Sequence, residues 1–258
     1  MMRAAVLALI IPLFFSSPGV RAQDKPADTT SIDIQTRKKW HQTNLFKATA
    51  VPLALTGVGL YAASERAPVN RFGVQKTLTA EFPGFASTLD DYLRYGPPVV
   101  VYGLDLLGVE SKNNFKHKTI IFLKANIIGY SLGFALKGIT KVRRPDNSSS
   151  ASFPSLHTTQ AFLGATFMHK ELGHRSPWYS IVAYTAASIT GFYRLLNNKH
   201  WLSDVLVGAA LGILSVNVAY LTHKYRGSGA KRNQKVSVII APSFSLASYG
   251  FSAALLLK

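Results

Sequence analysis

The chain has 258 residues, enough for one sizeable core, with 48% hydrophobic and only 16% charged residues, well below the usual quarter for soluble domains. Its 29 Lys and Arg against 12 Asp and Glu give +17, a charge that draws anions; the basic residues are spread between apolar stretches with no helix-turn-helix or zinc-finger pattern, which sets nucleic acid aside. The absence of cysteine excludes disulfides, Cys-ligated zinc, a thiol nucleophile and a lipoprotein anchor.

Residues 1–22 read as a secretory signal: Arg3 is the positive start, an apolar run follows, and Val20-Arg21-Ala22 is a small-x-small cleavage site. A short first membrane helix is the other reading, but the run is too short to span well. Residues 23–43 form a polar lead. Residues 44–63 are the first strong apolar segment, in which Pro52 is tolerable within a membrane. Residues 64–95 are polar and mixed. The apolar piece 97–109 is too short to span unaided. Apolar segments follow at 119–139, 158–168, 178–196 and 201–222. They lack the alternation of a half-buried strand, so the expected fold is all-α, a membrane-associated bundle of about five or six helices over residues 44–225. The tail, 226–258, opens as a basic linker and turns β-branched and aromatic around Pro242, predicting a small β-hairpin.

Three segments carry the chemistry. Lys137 to Arg144-Pro145 follows an apolar helix, and the proline favours a helix stop there. Its cations suit an anion, although such a cluster also fits a membrane-flank anchor. Next, Ser152-Phe-Pro-Ser155-Leu156-His157 reads as a helix start with Ser155 as N-cap. A helix start offers free N–H groups to a phosphate, and a protonated His157 there needs an anionic partner. An ordinary cap with an incidental histidine is the bland alternative. Third, His200 and Asp204 lie four apart, so on a helix they share one face. A carboxylate beside an imidazole fixes its tautomer and leaves the ring free to attack. A plain surface pair would also show this spacing, but Asp204 opens a strongly apolar stretch, where a carboxylate requires a partner.

Together these segments resemble the type-2 phosphatidate phosphatase superfamily: Lys, six residues, Arg-Pro; then Pro-Ser-Gly-His; then Ser-Arg, five residues, His, three residues, Asp. Lys137, Arg144 and Pro145 match the first motif. Pro154, Ser155 and His157 match the second. Arg194, His200 and Asp204 match the third. The resemblance covers roughly residues 115–215. Leu156 replaces the family glycine, so its side chain is expected to crowd the phosphate loop or to demand another backbone angle. Tyr193 replaces a serine peripheral to the chemistry.

The resemblance implies that His200 attacks phosphorus, Asp204 orients it, and His157 protonates the leaving oxygen. Lys137, Arg144, Arg194 and the backbone at Ser155 and Leu156 would hold the phosphate oxygens, with no metal and no cofactor. It implies a bacterial envelope enzyme acting on a lipid phosphate or diphosphate: phosphatidate, phosphatidylglycerophosphate, a prenyl diphosphate or a lipid A phosphate. The expected partners are the membrane and an anionic phospholipid or other lipid phosphate. A soluble periplasmic acid phosphatase shares the signature; a vanadate-dependent haloperoxidase and a non-catalytic lipid-phosphate binder are further alternatives. His41, His117, His169, His174 and His223 receive no role. A cleaved signal with a periplasmic site would require an even number of spans before Lys137, and segments 44–63 and 119–139 supply two.

Overall fold

The computed structural model describes residues 43–225, 236–245 and 248–257. The signal, its cleavage site and nearly all of the polar lead lie outside the described residues, as does the basic linker. Residues 48–258 form one compact unit.

Eight helices are present among the described residues, against the five or six expected. They are α1 (Asn44–Ala62), α2 (Arg71–Glu81), α3 (Leu89–Leu93), α4 (Gly96–Leu106), α5 (Phe115–Thr140), α6 (Leu156–Leu172), α7 (Pro177–Leu196) and α8 (Leu202–Leu221). Each long apolar segment became one helix. The excess is α2 and α3, which come from the polar stretch 64–95 and lack the apolar runs that mark the others. Asn70 starts α2 by accepting from Gly73 N at 2.8 Å, a side-chain N-cap that needs no apolar periodicity. Residues 236–245 and 248–257 trace as antiparallel β1 and β2, with Val236 opposite Leu257.

α6 is the central helix. All of Thr158–Met168 is buried, and α4, α5, α7 and α8 surround it. Small residues let α8 approach it at backbone distance: a Cβ on Gly212 would stand 2.4 Å from Thr159 O, and one on Gly208 2.6 Å from Ser155 O. α1, α5 and α8 are long and apolar enough to cross a membrane. Leu53 and Leu60 on α1 and Ile127, Phe134 and Ile139 on α5 face outward, as lipid-facing side chains do.

The helix ends define the site. α5 and α7 end, and α6 and α8 begin, at the same end of the bundle. α1 runs toward that end as well, since Ala48 O accepts from Asn217 Nδ2 late in α8 while Gly59 meets Ser203 and Val207 at its start. Residues 91–112 then descend the length of α6: Asp91 bonds His157 at its start, and Lys112 N bonds Glu171 O near its finish. α5 climbs back. Three passes along the bundle therefore precede Lys137, of which α1 and α5, the two segments expected to span, are long and apolar enough to cross a membrane.

Candidate active site

Lys137 lies in the last turn of α5. The helix stops at Thr140, with Lys141 left-handed at φ 47°, so the stop is one turn before Pro145 and not at it. Arg144 consequently stands on a loop. Lys137 Nζ donates to Ala151 O (2.5 Å) and Ser152 O (3.1 Å), pinning the second motif to the end of α5. An ammonium has three donors, so one remains. A second tie joins the first and third motifs: Lys199 pairs with Asp146 at 2.6 Å. Partial burial opposes ionisation of Asp146, but hydrogen bonds from Lys199 and Ser148 prevail and hold its carboxyl at about 2.

Ser155 is the N-cap of α6, its hydroxyl accepting from Thr158 N, and Leu156 and His157 fill the first turn. The Leu156 side chain does not enter the phosphate loop. It fills a notch on α5 that exists because residue 133 is glycine; a Cβ there would stand 2.4 Å from Leu156 Cδ2. Nor does Leu156 take a positive φ. Its backbone N–H remains at the free helix start.

His200 is almost wholly buried and precedes α8, so the expected shared helix face is not how it meets Asp204. Trp201 is the N-cap of α8, and Asp204 folds back to accept from Trp201 N at 3.0 Å. This capping places Asp204 Oδ2 3.5 Å from His200 Nδ1. Ser152 Oγ bridges the gap, donating to Asp204 Oδ2 at 2.5 Å and standing 3.5 Å from His200 Nδ1. With Nδ1 occupied, Nε2 is the nitrogen left for attack. Burial pushes His200 down to about 4, opposing the raising effect of Asp204, so the ring is neutral at pH 7.

The structure adds residues that the motifs omit. α3 supplies Asp90 and Asp91. Arg194 Nη1 donates to the fully buried Asp90 at 2.7 Å, and Asn197 Nδ2 donates to its other oxygen at 3.2 Å. Asp91 Oδ1 is 2.7 Å from His157 Nε2. Burial and then Arg194 push His157 down to about 4 despite Asp91, while the His157 hydrogen bond holds Asp91 below its usual range. No pattern in the polar stretch 64–95 flags these two carboxylates, apart from their adjacency. Their oxygens and His157 lie close enough together to hold a cation. Asp90, however, is already engaged on both oxygens, so an ion would have to displace Arg194 or Asn197.

Two buried guanidinium nitrogens, Arg144 Nε and Arg194 Nε, have no hydrogen-bond partner among the described residues. Lys137 and Arg194 both act on His200, and Arg144 on Lys137. The site is therefore a cationic cage with unused donors around a neutral, buried imidazole.

Residues 118–228 match the family model described as the PAP2 superfamily. Over 77 residues the chain is 56% identical to the lipid A 1-phosphatase of Porphyromonas gingivalis, covering 30% of this chain but only 17% of that relative. It is 25% identical over 162 residues to the decaprenylphosphoryl-5-phosphoribose phosphatase of Mycobacterium tuberculosis, covering 58% of this chain and 88% of the relative. Among solved structures, Aquifex aeolicus LpxE aligns with a TM-score of 0.43 at 22% identity, over 57% of this chain and 93% of that one. The PAP2-type phosphatidylglycerolphosphate phosphatase of Bacillus subtilis aligns with a TM-score of 0.47, also at 22% identity, over 68% and 98%.

Proposed function

We propose, starting from a chain whose residues 118–228 match the PAP2 superfamily, that it is a membrane phosphatase that hydrolyses a lipid phosphate through a phosphohistidine. The observation that carries this reading is the buried His200, tied at Nδ1 by Asp204 and Ser152, with Lys137 and Arg194 within its electrostatic reach. That tie leaves Nε2 as the attacking nitrogen, and the neighbouring cations suit the charge of a phosphate.

His200 Nε2 attacks phosphorus, the N–P bond forms, and the bond to the leaving oxygen breaks. The negative phosphate, together with Asp91, favours the doubly protonated form of His157, which gives one proton to the leaving oxygen. Water then attacks the phosphohistidine, returns a proton to His157 and releases phosphate. Lys137, Arg144, Arg194 and the α6 start, with Ser155 and Leu156, neutralise the oxygens. Phosphoryl transfer depends on this positioning and charge above all.

Two observations favour a lipid over a soluble ester. Three helices are fit to cross a membrane. A mainly apolar groove of about 690 Å³ runs between α4 and α5, and Gln160, one turn below His157, lies on its wall. The lipid A and decaprenyl relatives point to the same class. The soluble acid phosphatase is disfavoured by the outward apolar faces of α1 and α5.

In this reading the site faces the periplasm. The first pass, α1, then rises from the cytoplasmic side. A leader cleaved after Ala22 would instead deliver residue 23 outside, so with α1 as the first crossing that leader and this orientation do not both hold.

The test measures kcat/KM for a long-chain lipid phosphate in mixed micelles and for a soluble analogue with the same headgroup, alongside acid-labile, base-stable label trapped from substrate. The expectation is a large advantage for the lipid that falls on surface dilution, and trapping that is lost in His200→Ala. Equal efficiency on both substrates, or equal trapping in the variant, overturns the reading.

A further inference from the structure

The contact between His200 and Asp204 is looser than the bonds around it. Asp204 Oδ2 accepts from Ser152 Oγ at 2.5 Å and from Trp201 N at 3.0 Å, while His200 Nδ1 stands 3.5 Å away. A carboxylate oxygen offers about two lone-pair sites, and two nearer donors already occupy them. An N–H···O bond is roughly 2.7–3.2 Å long, so the ring is the donor left outside. Ser203 Oγ adds a further neutral donor, to Oδ1, at 3.2 Å.

Ser152 cannot follow the ring. It is fully buried, its N–H donates to Val142 O at 2.9 Å, and its carbonyl accepts from Lys137 Nζ at 3.1 Å. Both of its backbone groups are therefore held by the first-motif segment. Lys137 on α5 and Arg194 on α7 also face His200 and are cations, so Asp204 supplies the negative charge that can steady a positive ring.

A hydroxyl donated to a carboxylate draws on its charge and weakens its hold on a neighbouring imidazole. The effect is largest after the first chemical step. A ring with hydrogen on Nδ1 and phosphorus on Nε2 is positive, and a close carboxylate stabilises it. In the second step water displaces the ring, the electron pair of the N–P bond returns to Nε2, and the positive charge is lost. A firmly paired Asp204 would deepen the intermediate and slow its hydrolysis.

We infer that Ser152 is a positioning residue that holds Asp204 back from His200 and so keeps the phosphohistidine short-lived. The inference rests on the phosphatase reading above and concerns its second step.

The experiment uses full-length protein in mixed micelles and the variant Ser152→Ala, which removes the hydroxyl and frees Oδ2 for Nδ1. The share of enzyme trapped as acid-labile, base-stable phosphoenzyme is expected to rise severalfold and kcat to fall about tenfold, while kcat/KM, which reports the steps through phosphorylation, does not fall. A general loosening of the site would lower kcat/KM and the trapped label together. That result overturns the inference, and so does no change in either. The imidazole gives a second readout that needs no turnover. In protein labelled at histidine Cε1, with the His200 signal assigned by its loss in His200→Ala, the NMR titration midpoint of His200 is expected to rise by about one pH unit in Ser152→Ala. In Asp204→Asn protein the same serine change is expected to leave the midpoint where it is, because Ser152 acts through the carboxylate. A midpoint that ignores Ser152→Ala, in protein whose trapping is lost in His200→Ala, sinks this inference alone. A raised midpoint in protein that traps no label with or without the serine would sink the phosphatase reading and leave the Ser152–Asp204 competition standing.

Discussion

Asp91 is the residue whose consequence is easiest to measure. It stands 2.7 Å from His157 Nε2, and a lost carboxylate would leave the ring harder to protonate. Asp91→Asn is expected to lower kcat on alkyl phosphates by about 10²-fold, the low end of general-acid effects. The loss should be much smaller on p-nitrophenyl phosphate, whose leaving group needs little protonation. An equal loss on both would show that Asp91 does not act through proton donation. The histidines also make stability depend on pH. His157 and His200 titrate at about 4 in the fold against an ordinary 6.5, so the unfolded chain binds more protons between those values. Stability is full above pH 6.5 and falls as the pH drops toward 4, by up to about 1.4 kcal/mol per pH unit for each ring. Unfolding midpoints at pH 7 and pH 5 check this, and a midpoint that does not move between them speaks against the buried, neutral rings.

At the scale of elements, the approach of α6 to α8 is set by glycine. A side chain at residue 212 would meet backbone, Thr159 O at 2.4 Å, which cannot yield as a flexible side chain can. Gly212→Val should cost about 1–3 kcal/mol and lower the melting temperature, whereas Gly57→Val, with nothing within 4 Å, should not. Equal midpoints for the two variants would contradict this packing. The sequence made the long helices legible because each is a continuous apolar run. It hid α2, whose start is written in the Asn70 cap, and α3, a five-residue turn among polar residues with no side-chain cap. It brought Lys137, Arg144, His157, Arg194 and His200 under one expectation because order and spacing survive folding. It misled on how His200 meets Asp204, because a separation of four fits a helix face and a folded-back N-cap equally well. Leu156 was misjudged for a related reason: whether a side chain enters a loop depends on what lies behind it, and Gly133 belongs to another helix. Ser152 and Asp91 carried no local signal of their roles, since a bridging hydroxyl and a distant carboxylate are defined by their neighbours alone.

For the whole molecule, the three passes before Lys137 make orientation testable in a chain with no native cysteine. A single cysteine at exposed Lys76 lies at the site end, and one at exposed Lys116 at the far end. A membrane-impermeant maleimide added to spheroplasts is expected to label Lys76→Cys and spare Lys116→Cys until the membrane is opened. The reverse pattern would place the site in the cytoplasm, and labelling of both in sealed cells would deny α4 its pass.

The buried Asp90–Arg194 pair also bears on modularity. Arg194 falls within the stretch that matches the family, 118–228, but its counter-charge comes from α3, well before that stretch begins. A fragment trimmed to the matched residues would keep every motif and yet strand a guanidinium in a dry interior, a defect that typically costs about 3–5 kcal/mol. The heritable unit here is therefore longer than its signature. Any transplant, fusion or minimal version of this protein must carry the acidic turn at residues 89–93 along with the three motifs, and drift in that turn is constrained by a partner some hundred residues downstream.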